Sequence, residues 1–128
     1  MDIRCGTDIA EVGRIKRAME RSGRFASKVF TENEMEYCEQ KGCRRYESYA
    51  ARFAAKEAFL KMLGVGMFAG AAFNEIEIIS DAATGAPTLH LRGGAAALYA
   101  EKGGVSVSVS ISHTPTIAIA TVAAICGK

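Results

Sequence analysis

The chain has 128 residues, 49% of them hydrophobic and 23% charged, with a formal net charge of +2. That is the balance of a single globular domain, and it leaves only a weak whole-molecule pull on nucleic acid. No apolar run is long enough to span a membrane, no signal peptide opens the chain, and the four cysteines and two histidines lack zinc spacing, so free thiols in a reducing cytoplasm are expected, with neither nucleic acid nor membrane as partner.

Ile3, Cys5, Thr7 and Ile9 alternate with Arg4, Gly6 and Asp8, which predicts a strand with that apolar set buried. Asp8, near its end, suits either a cap on the following helix or a metal ligand. Helical spacing then gathers Val12, Ile15, Ala18 and Met19 on one edge. Arg14, Arg17, Arg21, Arg24 and Lys28 recur at steps of three and four, a basic stripe in any unbroken helix, with Gly23 as the expected bend. The stripe carries almost no acid, which favours an acidic partner; Met19 and Phe25 could supply apolar anchors. Thr31 and Glu34 fit a capping box for a short helix ending near Gln40.

A long central helix follows, from about Tyr46 to Leu63, rich in strong helix formers and closed by Gly64. Ala51, Ala54, Ala55, Ala58, Phe59 and Met62 share one side of it; Phe53, Glu57, Leu60 and Lys61 share the other. By spacing alone, Glu57 and Lys61 are the pair that many exposed helices carry one turn apart. Glu75–Ile79 and Thr88–Leu91 read as a hairpin, with His90 on its surface, and Ala95–Tyr99 as a short helix. Val105 to Ser112 alternates valine or isoleucine with serine; after a turn at His113–Thr116, Ile117–Ile125 is nearly all apolar, as an interior strand would be. The fold expected is α+β: one domain, residues 1–128, with an antiparallel-rich sheet packed on the long helix. A chain this short has little room for a deep pocket, which leaves a site shared between subunits open.

Four segments stand in order along the chain: GTDIAEVGRI (Gly6 to Ile15), RFAAKEAFLKMLGVG (Arg52 to Gly66), the GAP turn (Gly85 to Pro87) and SISHT (Ser110 to Thr114). Together they resemble the bacterial holo-[acyl-carrier-protein] synthases, which are 4'-phosphopantetheinyl transferases. Val65 and Ala86 depart mildly from the family pattern, outside the expected metal ligands.

The resemblance implies the 4'-phosphopantetheinyl transferase fold and an enzyme that moves the 4'-phosphopantetheine arm of coenzyme A to a serine of apo acyl carrier protein, releasing adenosine 3',5'-bisphosphate, a step that serves fatty acid biosynthesis. It implies Mg²⁺ on Asp8 and Glu57, a hard cation that needs few protein oxygens beside a diphosphate. Lys61 would stand near the phosphates. Arg52 and His113 would bind coenzyme A, with Gly64 and Gly66 allowing close backbone approach. The base that takes the serine proton stays open among Asp8, Glu57 and metal-bound water. Arg14, Arg17, Arg21 and Arg24, with Met19 and Phe25, would dock the acidic carrier protein. Members are cyclic trimers with sites between subunits. The competing expectation is a non-catalytic module that binds an acidic protein or RNA through the Arg14–Lys28 stripe.

Overall fold

The computed structural model describes residues 1–65 and 70–127. The elements are β1 (Asp2–Glu11), α1 (Val12–Arg21), α2 (Gly23–Val29), α3 (Glu32–Glu39), α4 (Arg45–Leu63), β2 (Ile76–Ser80), β3 (Pro87–Leu91), α5 (Gly93–Glu101), β4 (Gly104–His113) and β5 (Ile117–Cys126), with short 3-10 turns at Gly42–Arg44 and Phe73–Glu75. A three-stranded antiparallel sheet has the order β1-β5-β4, and β2 and β3 form a separate antiparallel hairpin. The α+β class and the central place of β5 match expectation. Among the described residues, no helix is long and apolar enough to cross a membrane.

Helix α4 lies across the sheet, and the stripe Ala51, Ala54, Ala55, Ala58, Phe59 and Met62 is buried as predicted. The opposite side is not left to water: Leu60 is buried too, and Phe53 stacks 5.9 Å from Phe25 and 5.6 Å from Phe73. Gly64 closes the helix in the left-handed region (φ 75°), its N–H reaching the carbonyls of Leu60 and Lys61.

The contact between sheet and helix reverses the expected face of β1. Ile3 and Ile9 are 77% and 61% exposed, whereas Gly6 and Ala10 are buried. A Cβ at Gly6 would collide with the Ala58 carbonyl and stand 2.6 Å from the Met62 nitrogen. Backbones this close require a glycine in β1, and β5 supplies Ala118, Ala120, Val122 and Ala124 on the same inner face. The isoleucines of β1 and β5 therefore point away from the helix. In β4, Val107, Val109 and Ile111 pack inward and the serines outward, while an irregularity between Gly104 and Ser106 leaves Val105 exposed.

The basic stripe is broken at Ser22, not Gly23. Ser22 is extended (φ −159°, ψ 134°), and its hydroxyl caps α2 by accepting from the Arg24 N–H, so Gly23 is already helical. Arg14, Arg17 and Arg21 lie on α1, Arg24 and Lys28 on α2. The capping box of Thr31 and Glu34 forms as expected. Glu34 does more: buried, it accepts from Lys56 Nζ at 2.8 Å and the Ile78 N–H at 2.8 Å. Lys56, also buried, donates further to the carbonyls of Phe73 and Ile76. Buried charges need this full set of partners, and the pair ties α3, α4 and β2 into one frame.

Candidate active site

Asp8 sits in the inward row of β1 between Gly6 and Ala10, so the strand aims its carboxylate at α4 and does not cap α1. Lys61 Nζ donates to Asp8 Oδ1 at 2.9 Å and to the Thr7 carbonyl at 3.1 Å. The bond to Asp8 raises the lysine above its ordinary range and keeps it an ammonium. Asp8 Oδ2 is buried and has no hydrogen-bond partner among the described residues. Glu57, half-buried one turn before Lys61, stands close enough to Asp8 for the two carboxyls to perturb each other. Burial first, and then the neighbouring carboxyl of Asp8, push its carboxyl up to about 7; Lys61 and Arg14 act in the opposite sense. Residues far apart in the chain thus meet in one cluster of two acids and a lysine, with Arg14 of α1 within electrostatic reach.

Two adjacent carboxylates, one with an orphaned buried oxygen, repel each other unless a proton or a cation sits between them. Among the described residues no cluster of three or more His, Cys, Asp or Glu could hold a metal. Such a pair fits a hard ion that keeps water or substrate oxygens in its shell, as Mg²⁺ does, better than one needing a full protein cage.

Arg52 and His113 meet elsewhere, on a cleft of about 700 Å³ between α3, α4, the hairpin and the end of β4. Arg52 is 2% exposed. Its guanidinium donates to Ser48 and Ser80, both at 3.2 Å, and lies 4.3 Å from the Tyr37 ring. Its Nε is buried without a partner among the described residues. Lys41 covers the same ring at 4.7 Å. The neighbouring Ser80 hydroxyl, outweighing the opposing effect of burial, holds the Tyr37 phenol below its usual range, and Lys41 adds to it. Arg44 lines the cleft too, and the His113 ring is bonded to Glu47 at 2.9 Å. Several cations and hydroxyls converge here, the chemistry of an anion site. A second hollow, of about 590 Å³, is lined by Glu32, Glu75 and Arg92, a mixed set without that convergence.

Gly64 is exposed at the end of α4; Gly66 lies outside the described residues. Arg14, Arg17, Arg21 and Arg24 are exposed, and among the described residues none of them forms an ion pair. Met19 and Phe25 are only half-exposed and pack on the core, so each offers one edge and not a whole side chain as an anchor. His90 bonds its neighbour Thr88 at 3.0 Å, on the surface as expected. Sequence reasoning passed over Tyr37, Ser48 and Ser80, which hold Arg52, and Glu47, which holds His113. Glu47 and Ser48 stand among the polar residues of α4's first turns, with no motif to single them out.

The model of the 4'-phosphopantetheinyl transferase superfamily matches residues 4–120. The holo-[acyl-carrier-protein] synthase of Ruminiclostridium cellulolyticum is 52% identical over 121 residues, covering 94% of this chain and 90% of that protein. The crystal structure of the Neisseria meningitidis holo-[acyl-carrier-protein] synthase superposes with a TM-score of 0.84 at 34% identity, covering 95% of this chain and 97% of that one. The Helicobacter pylori synthase, solved in complex with coenzyme A, gives 0.82 at 30% identity, covering 94% and 99%. The chain therefore belongs to the 4'-phosphopantetheinyl transferase superfamily, within its holo-[acyl-carrier-protein] synthase group.

Proposed function

We propose that this enzyme transfers the 4'-phosphopantetheine group of coenzyme A to a serine hydroxyl of apo acyl carrier protein and releases adenosine 3',5'-bisphosphate. The serine oxygen forms a new bond to the β-phosphorus, and the bond from that phosphorus to the bridging oxygen of the diphosphate breaks. The observation that carries the reading is the Asp8–Glu57 pair with its orphaned oxygen, beside an ammonium at Lys61. Asp8 and Glu57 would hold Mg²⁺, which supplies charge neutralisation at the diphosphate when bound. Lys61 holds a fixed positive charge next to them, suited to the leaving phosphate.

The cationic cleft supports coenzyme A as donor. Arg52 is locked by Ser48 and Ser80 with one N–H unspent, and His113 is bonded at one nitrogen, leaving the other for ligand. That the Helicobacter pylori relative was solved with coenzyme A supports the same assignment. Exposed Arg14, Arg17, Arg21 and Arg24 favour an acidic partner and supply the docking face for acyl carrier protein, with the charge of Arg14 felt at the carboxylates. The outward isoleucines of β1 and β5 support a homotrimer in which neighbouring subunits cover the sheet and complete the sites. Four free thiols suit the cytoplasm, and the product suits fatty acid biosynthesis. Membership of a transferase family sets aside the alternative of a non-catalytic module.

The test is a mass measurement on apo acyl carrier protein incubated with coenzyme A and enzyme. A gain of one phosphopantetheine is expected with Mg²⁺ and not with a chelator, and Asp8→Ala is expected to lower the rate by at least about 10³-fold. Full turnover by Asp8→Ala would sink the metal assignment.

A further inference from the structure

We propose that Glu47 is a positioning residue that organises the coenzyme A cleft from behind its wall; this rests on the reading of His113 as a coenzyme A ligand. Glu47 occupies the first turn of α4 and is 7% exposed. It does not line the cleft that holds Arg52 and His113; it lines the adjoining groove of about 480 Å³, between α1 and the turn after β4. Its two oxygens are divided between two residues that do line the cleft. Oε1 lies 2.9 Å from His113 Nδ1, and Oε2 lies 3.7 Å from Arg44 Nε.

A carboxylate only accepts, so Nδ1 is the donor and the ring is held with Nε2 as its remaining polar atom. His113 is the last residue of β4, where a loose ring would sample several rotamers. A carboxylate pointing into an anion cleft would repel the ligand. Placed behind the wall, the same charge fixes two donors without facing the phosphates. A glutamate in a first helical turn also stabilises the helix dipole, and that simpler role makes a different prediction.

The experiment is steady-state kinetics with coenzyme A and apo acyl carrier protein on Glu47→Gln, Glu47→Asp, His113→Ala and the Glu47→Gln/His113→Ala double variant. Both Glu47 variants are expected to raise KM for coenzyme A about tenfold, the scale of one charge-assisted hydrogen bond, with kcat and the carrier-protein KM within about twofold. Aspartate keeps the helix-terminal charge but withdraws it from the ring, so a normal KM in Glu47→Asp overturns the inference. The double variant is expected to fall well short of the product of the single effects. A full product shows independent action and overturns it too. An unchanged coenzyme A KM in His113→Ala overturns the binding role of His113 itself, and this inference with it. A one-bond ¹⁵N–¹H signal from the His113 Nδ1 proton, expected in the wild type and lost in Glu47→Asp, reads the same bond without turnover.

Discussion

Glu57 carries a pH signature that can be measured without substrate. Its carboxyl titrates near 7 in the folded chain against a reference of 4.5, chiefly through burial and then through Asp8. The folded state therefore holds that proton more tightly than the unfolded one. Its contribution to stability is complete below about pH 4.5 and is lost as pH rises through about 7, where two unscreened carboxylates face each other. Urea unfolding in a chelator, from about pH 5 to about pH 8, should show stability falling across that window, and Glu57→Gln should flatten the fall. Asp8, Glu57 and Lys61 were legible as candidates because motif and residue chemistry agreed on them. Glu47 and His113 are 66 positions apart and meet only after folding. Lys56 was hidden for the opposite reason: a lysine inside an apolar helix reads as a surface residue until its buried partner, Glu34, is seen.

At the scale of elements, the junction of β1 with α4 governs the site. Gly6 touches the backbone of Ala58, which cannot swing aside, so Gly6→Ala should cost about 3 kcal/mol, the upper end for overpacking. Asp8 is two residues away on the same face, so the variant should also lose activity at temperatures where it stays folded; circular dichroism melts alongside the mass assay would check both. Alternation made β1 recognisable as a strand but named the wrong face as buried, because larger side chains usually fill a core and here alanines and glycine do. Caps were legible: the Thr31–Glu34 box and Gly64 fall where expected. The break in the basic stripe was placed one residue late, because the Ser22 hydroxyl, and not glycine's freedom, starts the next helix.

For the whole molecule, the outer sheet face is the feature that one chain does not satisfy. Register places Ile3 opposite Ile125 and Ile9 opposite Ile119, and Ile117 extends the row. If the proposed trimer buries this face, sedimentation should give a trimer for the wild type, and Ile119→Glu, a charge placed in the isoleucine row, should give a monomer with little turnover. A variant that kept the wild-type mass would move the interface elsewhere. The α+β class was legible from the mixture of periods, whereas the trimer came only from resemblance, since a strand pattern does not say what lies beyond its sheet. Those isoleucines have a further consequence in time. A single chain leaves that row of isoleucines, interrupted by the Thr7–Thr121 pair, facing water. In the proposed trimer that row is sheltered only after assembly, so dilution would lengthen the time a lone subunit spends with it open to other partners.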